Sequence, residues 1–366
     1  MSQFSLHPGD TIGILGGGQL ARMLSTAAAR LGLKTHIYAP EENSPAFQVS
    51  DAHTIAAYED EKALERFAER VSVVTYEFEN VPAPTAAFLQ ARVPVHPGSN
   101  ALHVSQDRLT EKTFLTQEAG TPTAPFAKVD SQQQLEEALA AFQGKGVLKT
   151  RRFGYDGKGQ LMLRKPEDAK GAFAKLGNQP AILEGLIDFT AELSVITARA
   201  VGGQVLSYEA ARNLHENHIL KSSTVPAGLS KTIREEARRI AESISTSLGY
   251  IGVLGVELFL VEGDTGPHLL VNEIAPRVHN SGHWTEDAAF TSQFEQHMRA
   301  VAGWPLGSTQ RTHDVTMENL LGDEAQSYRK VLATANARLT LYGKAEVRTG
   351  RKMGHVNHLH PLGNLE

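Results

Sequence analysis

Residues 11–32 read TIGIL, GGG, QLARMLSTAAARLG: an apolar strand, a glycine turn and an amphipathic helix. A second short strand follows at residues 34–39. Two strands joined through a helix pair in parallel, so this βαβ unit fixes the start of the chain as an α/β sheet. Strand candidates at residues 53–57 and 71–75, with a helical stretch at 61–70 between them, carry the alternation to about Pro97. The expectation is one Rossmann-like parallel α/β domain over residues 1–105.

Gly16, Gly18 and Ala21 fit the G-x-G-x-x-G/A pattern, in which backbone amides at a helix N-terminus approach a pyrophosphate. A nicotinamide dinucleotide also needs an acidic residue at the end of the second strand. That strand ends Ile37-Tyr38-Ala39, with Glu41 only beyond a proline. Two other uses remain: close packing of strand on helix, or a site for the phosphate of a different ligand, to which Gln19 adds a side-chain donor. A substrate-phosphate site is the expectation carried forward.

Composition narrows the classes. With 366 residues, 41% hydrophobic and 21% charged, the chain is an ordinary globular protein of two or three domains. A formal charge of −5 gives no general attraction for a nucleic-acid backbone, so an anionic ligand must be held locally. The absence of cysteine excludes disulfides, thiolate metal sites and cysteine nucleophiles. The first residues, MSQFSLHPGD, lack the basic start and apolar run of a signal peptide, and no apolar stretch reaches bilayer length. A soluble cytoplasmic protein is expected.

Residues 106–120 have helical spacing and stop at a glycine followed by Thr-Pro, which suits a linker. A helix capped by Ser131 is expected over residues 131–142, then a strand GVLKT. The next piece, RRFGYDGKGQ, has three glycines and no apolar periodicity, and predicts a mobile loop. Strands follow at 161–163, 181–184 and 191–200, then a long amphipathic helix at 229–248. Strands at 255–261 and 268–275 are separated by EGDTG, turn chemistry suited to an antiparallel hairpin.

The chemistry lies in this middle region. Lys149 stands near a strand end, ahead of the glycine loop that carries Lys158, and such a loop flanked by two lysines can fold over a triphosphate. Lys158 is followed by Gly159, so it is not a Walker loop. Glu257 is the lone charge in GVELFL, and Glu273 lies beside Asn272 in LLVNEIAPR. Each half of the hairpin thus offers a carboxylate, and magnesium commonly sits between one or two carboxylates and substrate phosphates. In ILEGLI, Glu184 with Gly185, Leu186 and Ile187 suits the edge and face of an adenine, and Glu192 suits ribose hydroxyls.

Taken in order, DRLTEK, VLKTRRFGYDGKGQ, ILEGLI, VELFL and VNEIAPRVHNSGHWT resemble the ATP-grasp ligases, most closely the N5-carboxyaminoimidazole ribonucleotide synthase family. The resemblance runs from GILGGGQLARM to GRKMGH, nearly the whole chain, and APRVHNSGHWT is its most specific stretch. It implies an ATP-grasp domain over residues 106–300 with a mobile lid around 125–190, and a small C-terminal domain over 301–366 that completes the substrate site. ATP contacts are implied from Arg108, Lys149, the loop Gly154, Tyr155, Asp156, Gly157, Lys158, Gly159 and Gln160, and from Glu184, Ile187, Glu192, His215, Asn272 and Glu273. Magnesium falls to Glu257 and Glu273.

For 5-aminoimidazole ribonucleotide the resemblance implies Gln19, Tyr155, Asp156, Arg277, His279, Lys344, Arg351 and Lys352. The adjacent cations of TGRKMGH suit a ribonucleotide phosphate. The implied reaction joins bicarbonate to the γ-phosphorus of ATP and passes the carboxyl group to the amine. Arg277 would stabilise the carboxyphosphate, and Asp156, with Tyr155 beside it, would orient or deprotonate the amine. A homodimer is implied as well. Other classes stay open: an ATP-grasp ligase like glycinamide ribonucleotide transformylase or biotin carboxylase, a nicotinamide-dependent oxidoreductase, and a non-catalytic nucleotide-binding module.

Near the end, GHVNHLHP brings His355, His358 and His360 close together in sequence. With no cysteine or acidic ligand in order, a solvent-facing end is expected rather than a metal cluster.

Overall fold

The computed structural model describes residues 4–152, 159–264 and 266–365. Its first layer is the expected one: β1 (Thr11–Leu15), α1 (Gln19–Arg30), β2 (Lys34–Ala39), β3 (Ala52–Ile55), α2 (Glu61–Ala68), β4 (Val73–Tyr76) and α3 (Ala83–Gln90). The four strands pair in parallel in the order β3-β2-β1-β4. Ile12, Ile14 and Leu15 of β1 are fully buried on both faces, as a parallel strand covered by helices requires.

Two helices, α4 (Ser99–Ser105) and α5 (Arg108–Gln117), lead out of this sheet. Asp107 caps α5, its Oδ1 accepting from the amides of Leu109 at 3.0 Å and Thr110 at 3.2 Å. A small antiparallel sheet follows, from β5 (Phe126–Val129), α6 (Gln132–Ala141), β6 (Gly146–Thr150), β7 (Gln160–Leu163), α7 (Ala172–Lys175) and β8 (Ala181–Gly185), in the order β5-β8-β6-β7. Ser131 caps α6 as the sequence predicts. The pairing of Lys149 with Gln160 places the ends of the glycine loop side by side.

The third layer is a large sheet of β9 (Ala191–Arg199), β10 (Val205–Ser207), β11 (Ala211–Glu216), β12 (Ile219–Val225), β13 (Gly252–Gly263), β14 (Gly266–Ala275), β15 (Asp314–Leu321), β16 (Ala337–Leu341) and β17 (Lys352–His360). Its order is β14-β13-β9-β11-β12-β15-β17-β16, with β10 beside β9. Helix α8 (Lys231–Ser247) lays Ile233, Ala237, Ile240 and Ile244, a helical stripe, on Leu193, Val195, Leu254 and Val256 of the sheet. After α9 (Thr285–Ala288), helix α10 (Gln293–Val301) brings Phe294 and Met298 into one core with Ala21 and Leu24 of α1. The parallel domain is thereby seated against the large sheet, and a cleft opens between them and the small sheet.

Two expectations fail. The C-terminal histidines do not form a solvent-facing end. Strand β17 is inserted between β15 and β16, so His355 is completely buried, its Nδ1 3.0 Å from the Tyr342 hydroxyl and its Nε2 3.4 Å from Glu286. His358 lies on the opposite face, because side chains alternate along a strand, with Nε2 3.7 Å from Glu318. Among the described residues no three histidines, aspartates or glutamates gather as a metal site.

The second failure concerns the opening glycines. Two amides at the start of α1 are already taken: Gly18 N donates to Glu77 Oε1 in a short contact, and Ala21 N to Glu77 Oε2 at 2.9 Å. A Cβ on Gly18 would sit 2.6 Å from Glu77 Oε1, so this glycine makes room for a carboxylate of the same chain rather than for a ligand phosphate. No helix among the described residues is long and apolar enough to cross a membrane.

Candidate active site

The cleft has a volume of about 690 Å³ and is lined from all three layers. Gln19, Arg108, Lys149, Gln160, Glu184, Gly185, Leu186, Ile187, Glu192 and His215 line it, as do Glu257, Asn272, Glu273, Arg277, His279 and Lys352. These candidates, spread over more than 300 positions of sequence, meet in one place. Gly159 closes the β6–β7 hairpin, its carbonyl accepting from Thr150 N at 2.8 Å. Gly154, Tyr155, Asp156, Gly157 and Lys158 lie outside the described residues.

The hairpin β13–β14 supplies the acidic wall. Glu257 and Glu273 are direct register partners, and a bulge follows at once, with Leu258 opposite Val271. Asn272 is the extra residue. A bulge breaks the strict alternation of a strand, which is why Asn272 and Glu273, though adjacent, both face the cleft. Burial and the facing Glu273 push the Glu257 carboxyl up to about 7. Burial acts on Glu273 too, but Arg108, whose Nη1 is 2.9 Å from Oε2, outweighs it and lowers that carboxyl.

His279 stands behind Glu257 with Nε2 3.2 Å from Oε1, while Nδ1 is 2.8 Å from the Ser281 hydroxyl. Burial, with Arg277 and Lys352 nearby, lowers its pKa to about 3, so the ring beside Glu257 is neutral. Arg277 enters from the end of β14 and is gripped by Glu79 through Nε and, at 3.1 Å, through Nη2.

At the other end of the cleft, Glu184 on β8 lies between Lys149, 3.1 Å away, and Lys112, 3.3 Å away. Burial pushes its carboxyl up, yet the two ammonium groups hold it at about 2. Beside it an apolar slot is walled by Met162, Leu186 and Ile187 and by Phe189 stacked on Phe259, ring centres 4.6 Å apart. His215 Nδ1 is 2.7 Å from Glu192 Oε2 on the neighbouring strand.

Of the three basic residues expected at the substrate end, Lys352 lines the cleft, while Lys344 and Arg351 are not among the lining residues. Lys344 Nζ donates to the carbonyl of Lys352 at 2.6 Å, and burial next to Arg351 and Lys352 lowers its pKa to about 8. Arg351 donates to the Glu346 carbonyl at 2.9 Å. Glu77, Glu79, Lys112, Phe189 and Phe259 were missed from sequence. Only Phe259 carried a local signal, for it shares a strand face with Glu257 two residues earlier.

Comparison with known proteins agrees with this geometry. Residues 10–106 match the ribonucleotide synthetase preATP-grasp domain, 114–294 the ATP-grasp domain, and 316–362 the phosphoribosylaminoimidazole carboxylase C-terminal domain. The N5-carboxyaminoimidazole ribonucleotide synthase of Brucella melitensis biotype 1 is 51% identical, over 99% of each chain. The crystal structure of an ADP complex of an N5-carboxyaminoimidazole ribonucleotide synthetase superposes with a TM-score of 0.93 at 42% identity, covering 98% of this chain and 94% of that one. The Aspergillus clavatus enzyme in complex with ADP and 5-aminoimidazole ribonucleotide gives 0.89 at 30% identity, over 97% and 94%. With full-length relatives at this identity, the chain belongs to the N5-carboxyaminoimidazole ribonucleotide synthase family of ATP-grasp ligases.

Proposed function

We propose that this chain uses ATP and bicarbonate to carboxylate the exocyclic amine of 5-aminoimidazole ribonucleotide, a step of purine biosynthesis. The observation that carries the reading is the cleft itself: two strand-borne carboxylates in register, cations from Arg108, Lys149 and Arg277, and an apolar slot beside Glu184.

The adenine lies in that slot with its edge on Glu184 and the segment Gly185, Leu186 and Ile187, the ribose against Glu192 and His215, and the triphosphate toward Lys149 and Arg108. The facing pair Glu257 and Glu273, the first pushed toward neutrality by burial and by the second, fits a shared magnesium ion, with Asn272 alongside. Magnesium held there would neutralise phosphate charge. His279 fixes the orientation of Glu257.

A bicarbonate oxygen attacks the γ-phosphorus and the bond to ADP breaks, giving carboxyphosphate. The amine then attacks the carboxyl carbon, the C–O bond to phosphate breaks, and the amine loses a proton. Arg277 holds the developing negative charge, and Asp156, with Tyr155 beside it, receives or directs the amine proton. The ribonucleotide phosphate sits among Lys344, Arg351 and Lys352, near Gln19, since Glu77 already accepts from the Gly18 and Ala21 amides. Carboxyphosphate hydrolyses in water, so closure of the lid over residues 125–190 belongs to the chemistry.

The domain limits are those of the sequence reading, 1–105, 106–300 and 301–366, and the working form is a cytoplasmic homodimer, which sedimentation tests. The function is tested by measuring phosphate release from ATP with bicarbonate and the ribonucleotide omitted in turn. Full turnover should need both, and release with either alone at the full rate would overturn it. A nicotinamide dinucleotide is disfavoured by Glu77, whose carboxylate stands where its pyrophosphate would bind.

A further inference from the structure

Lys112 is a charge for which the reaction just described has no use. It lies on α5 and is 2% exposed. Its ammonium donates to Asn272 O at 2.6 Å and to Val271 O at 3.4 Å, and forms an ion pair with Glu184 Oε2 at 3.3 Å. An ion buried this deeply gives the fold little that an apolar side chain of similar volume would not.

Glu184 is shared between two lysines that differ in their tethers. Lys149 lines the cleft with its side chain 14% exposed, against 3% for Lys112, so it is the one placed to turn toward a bound triphosphate. Lys112 cannot follow. Both of its hydrogen bonds are to backbone carbonyls of β14, and they hold the ammonium in place for its ion pair with Glu184.

We propose that Lys112 is a positioning residue for nucleotide recognition: it is the fixed counterion that keeps Glu184 ionised and aimed while ATP is bound, and so sets the preference for adenine over guanine. The inference rests on Glu184 being the acceptor at the adenine edge. An ionised carboxylate only accepts hydrogen bonds, so it receives the N6 amino group of adenine and repels O6 of guanine. With Lys112 removed, burial favours the protonated acid, which donates to O6. Lys112 also ties Glu184 to the backbone beside Glu273, which links the base end of the cleft to its acidic wall.

The test is steady-state kinetics of the full chain with ATP and with GTP, at saturating bicarbonate and 5-aminoimidazole ribonucleotide. Lys112→Met should raise the KM for ATP about tenfold and lower the ATP-to-GTP ratio of kcat/KM about tenfold, with kcat for ATP within about threefold. A folded Lys112→Met with wild-type KM and wild-type ratio overturns the proposal. Because that variant leaves Glu184 with a partner missing, Glu184→Gln and the double variant are measured beside it. The double variant removes both charges together, and should match Glu184→Gln within about twofold, whereas multiplicative losses overturn the proposal. Glu184→Gln with intact ATP preference sinks the adenine assignment and the role of Lys112 with it. Loss of preference in Glu184→Gln but not in Lys112→Met sinks the role of Lys112 alone.

Discussion

Glu79 and Arg277, 198 positions apart in sequence, form a two-pronged ion pair across the seam between the parallel domain and the large sheet. Glu79 sits in the loop after β4, which Gln106 pins by donating to the carbonyls of Glu79 at 2.8 Å and Val81 at 2.6 Å. Burial pushes the Glu79 carboxyl up, but Arg277 overrides it and holds it at about 2. The direction in which Arg277 enters the cleft is therefore set by a residue of another domain.

Glu79→Gln should lower kcat by about ten- to a hundredfold while the KM for ATP stays within about twofold, because the arginine loses its aim and not its charge. Steady-state kinetics check this. An unchanged kcat would show that Arg277 is held well enough by its contact with the Val278 carbonyl.

The acidic wall gives a metal prediction. Chelation of divalent cations should abolish ATP turnover, and Glu273→Gln should raise the magnesium concentration for half-maximal rate by about tenfold or more. Titration of activity with magnesium checks it. An unshifted midpoint in Glu273→Gln would remove that residue from the metal site.

If the substrate phosphate sits among Lys344, Arg351 and Lys352 as proposed, Arg351→Ala should raise the KM for 5-aminoimidazole ribonucleotide about tenfold and leave that for ATP within about twofold. Equal effects on both KM values would refute the placement of the substrate phosphate.

The His215–Glu192 pair predicts a pH dependence. Burial lowers the His215 pKa, but the hydrogen bond and charge of Glu192 outweigh it and raise it above 6.5. A raised histidine pKa adds stability that is fully present below 6.5 and is lost as pH rises through the folded value. The gap in melting temperature between wild type and Glu192→Gln should be widest near pH 6 and shrink toward pH 9. A gap independent of pH would show that the pair is not ionic.

Much of this was written locally in the sequence. The opening βαβ unit, the capped helix after Ser131 and the hairpin around EGDTG all depend on near neighbours, and the strand alternation that exposed Glu257 as a lone charge is local too. What escaped depends on long-range contacts. Nothing near Gly18 announces that Glu77 will occupy the α1 amides, or that Lys112, an ordinary helix lysine by spacing, will be sealed under Glu184. Strict alternation turns Asn272 away from Glu273, and only the bulge brings them together. The burial of His355 follows from the insertion of β17 between two other strands, a matter of topology that a run of histidines cannot disclose.

The most direct measurement follows oxygen atoms. If bicarbonate attacks the γ-phosphorus, the oxygen that forms the new P–O bond stays on phosphorus when the C–O bond later breaks. Turnover of ATP and 5-aminoimidazole ribonucleotide with ¹⁸O-labelled bicarbonate should therefore release inorganic phosphate carrying one labelled oxygen per molecule. Phosphate free of label, formed at the full rate, would contradict activation of bicarbonate by ATP in this cleft.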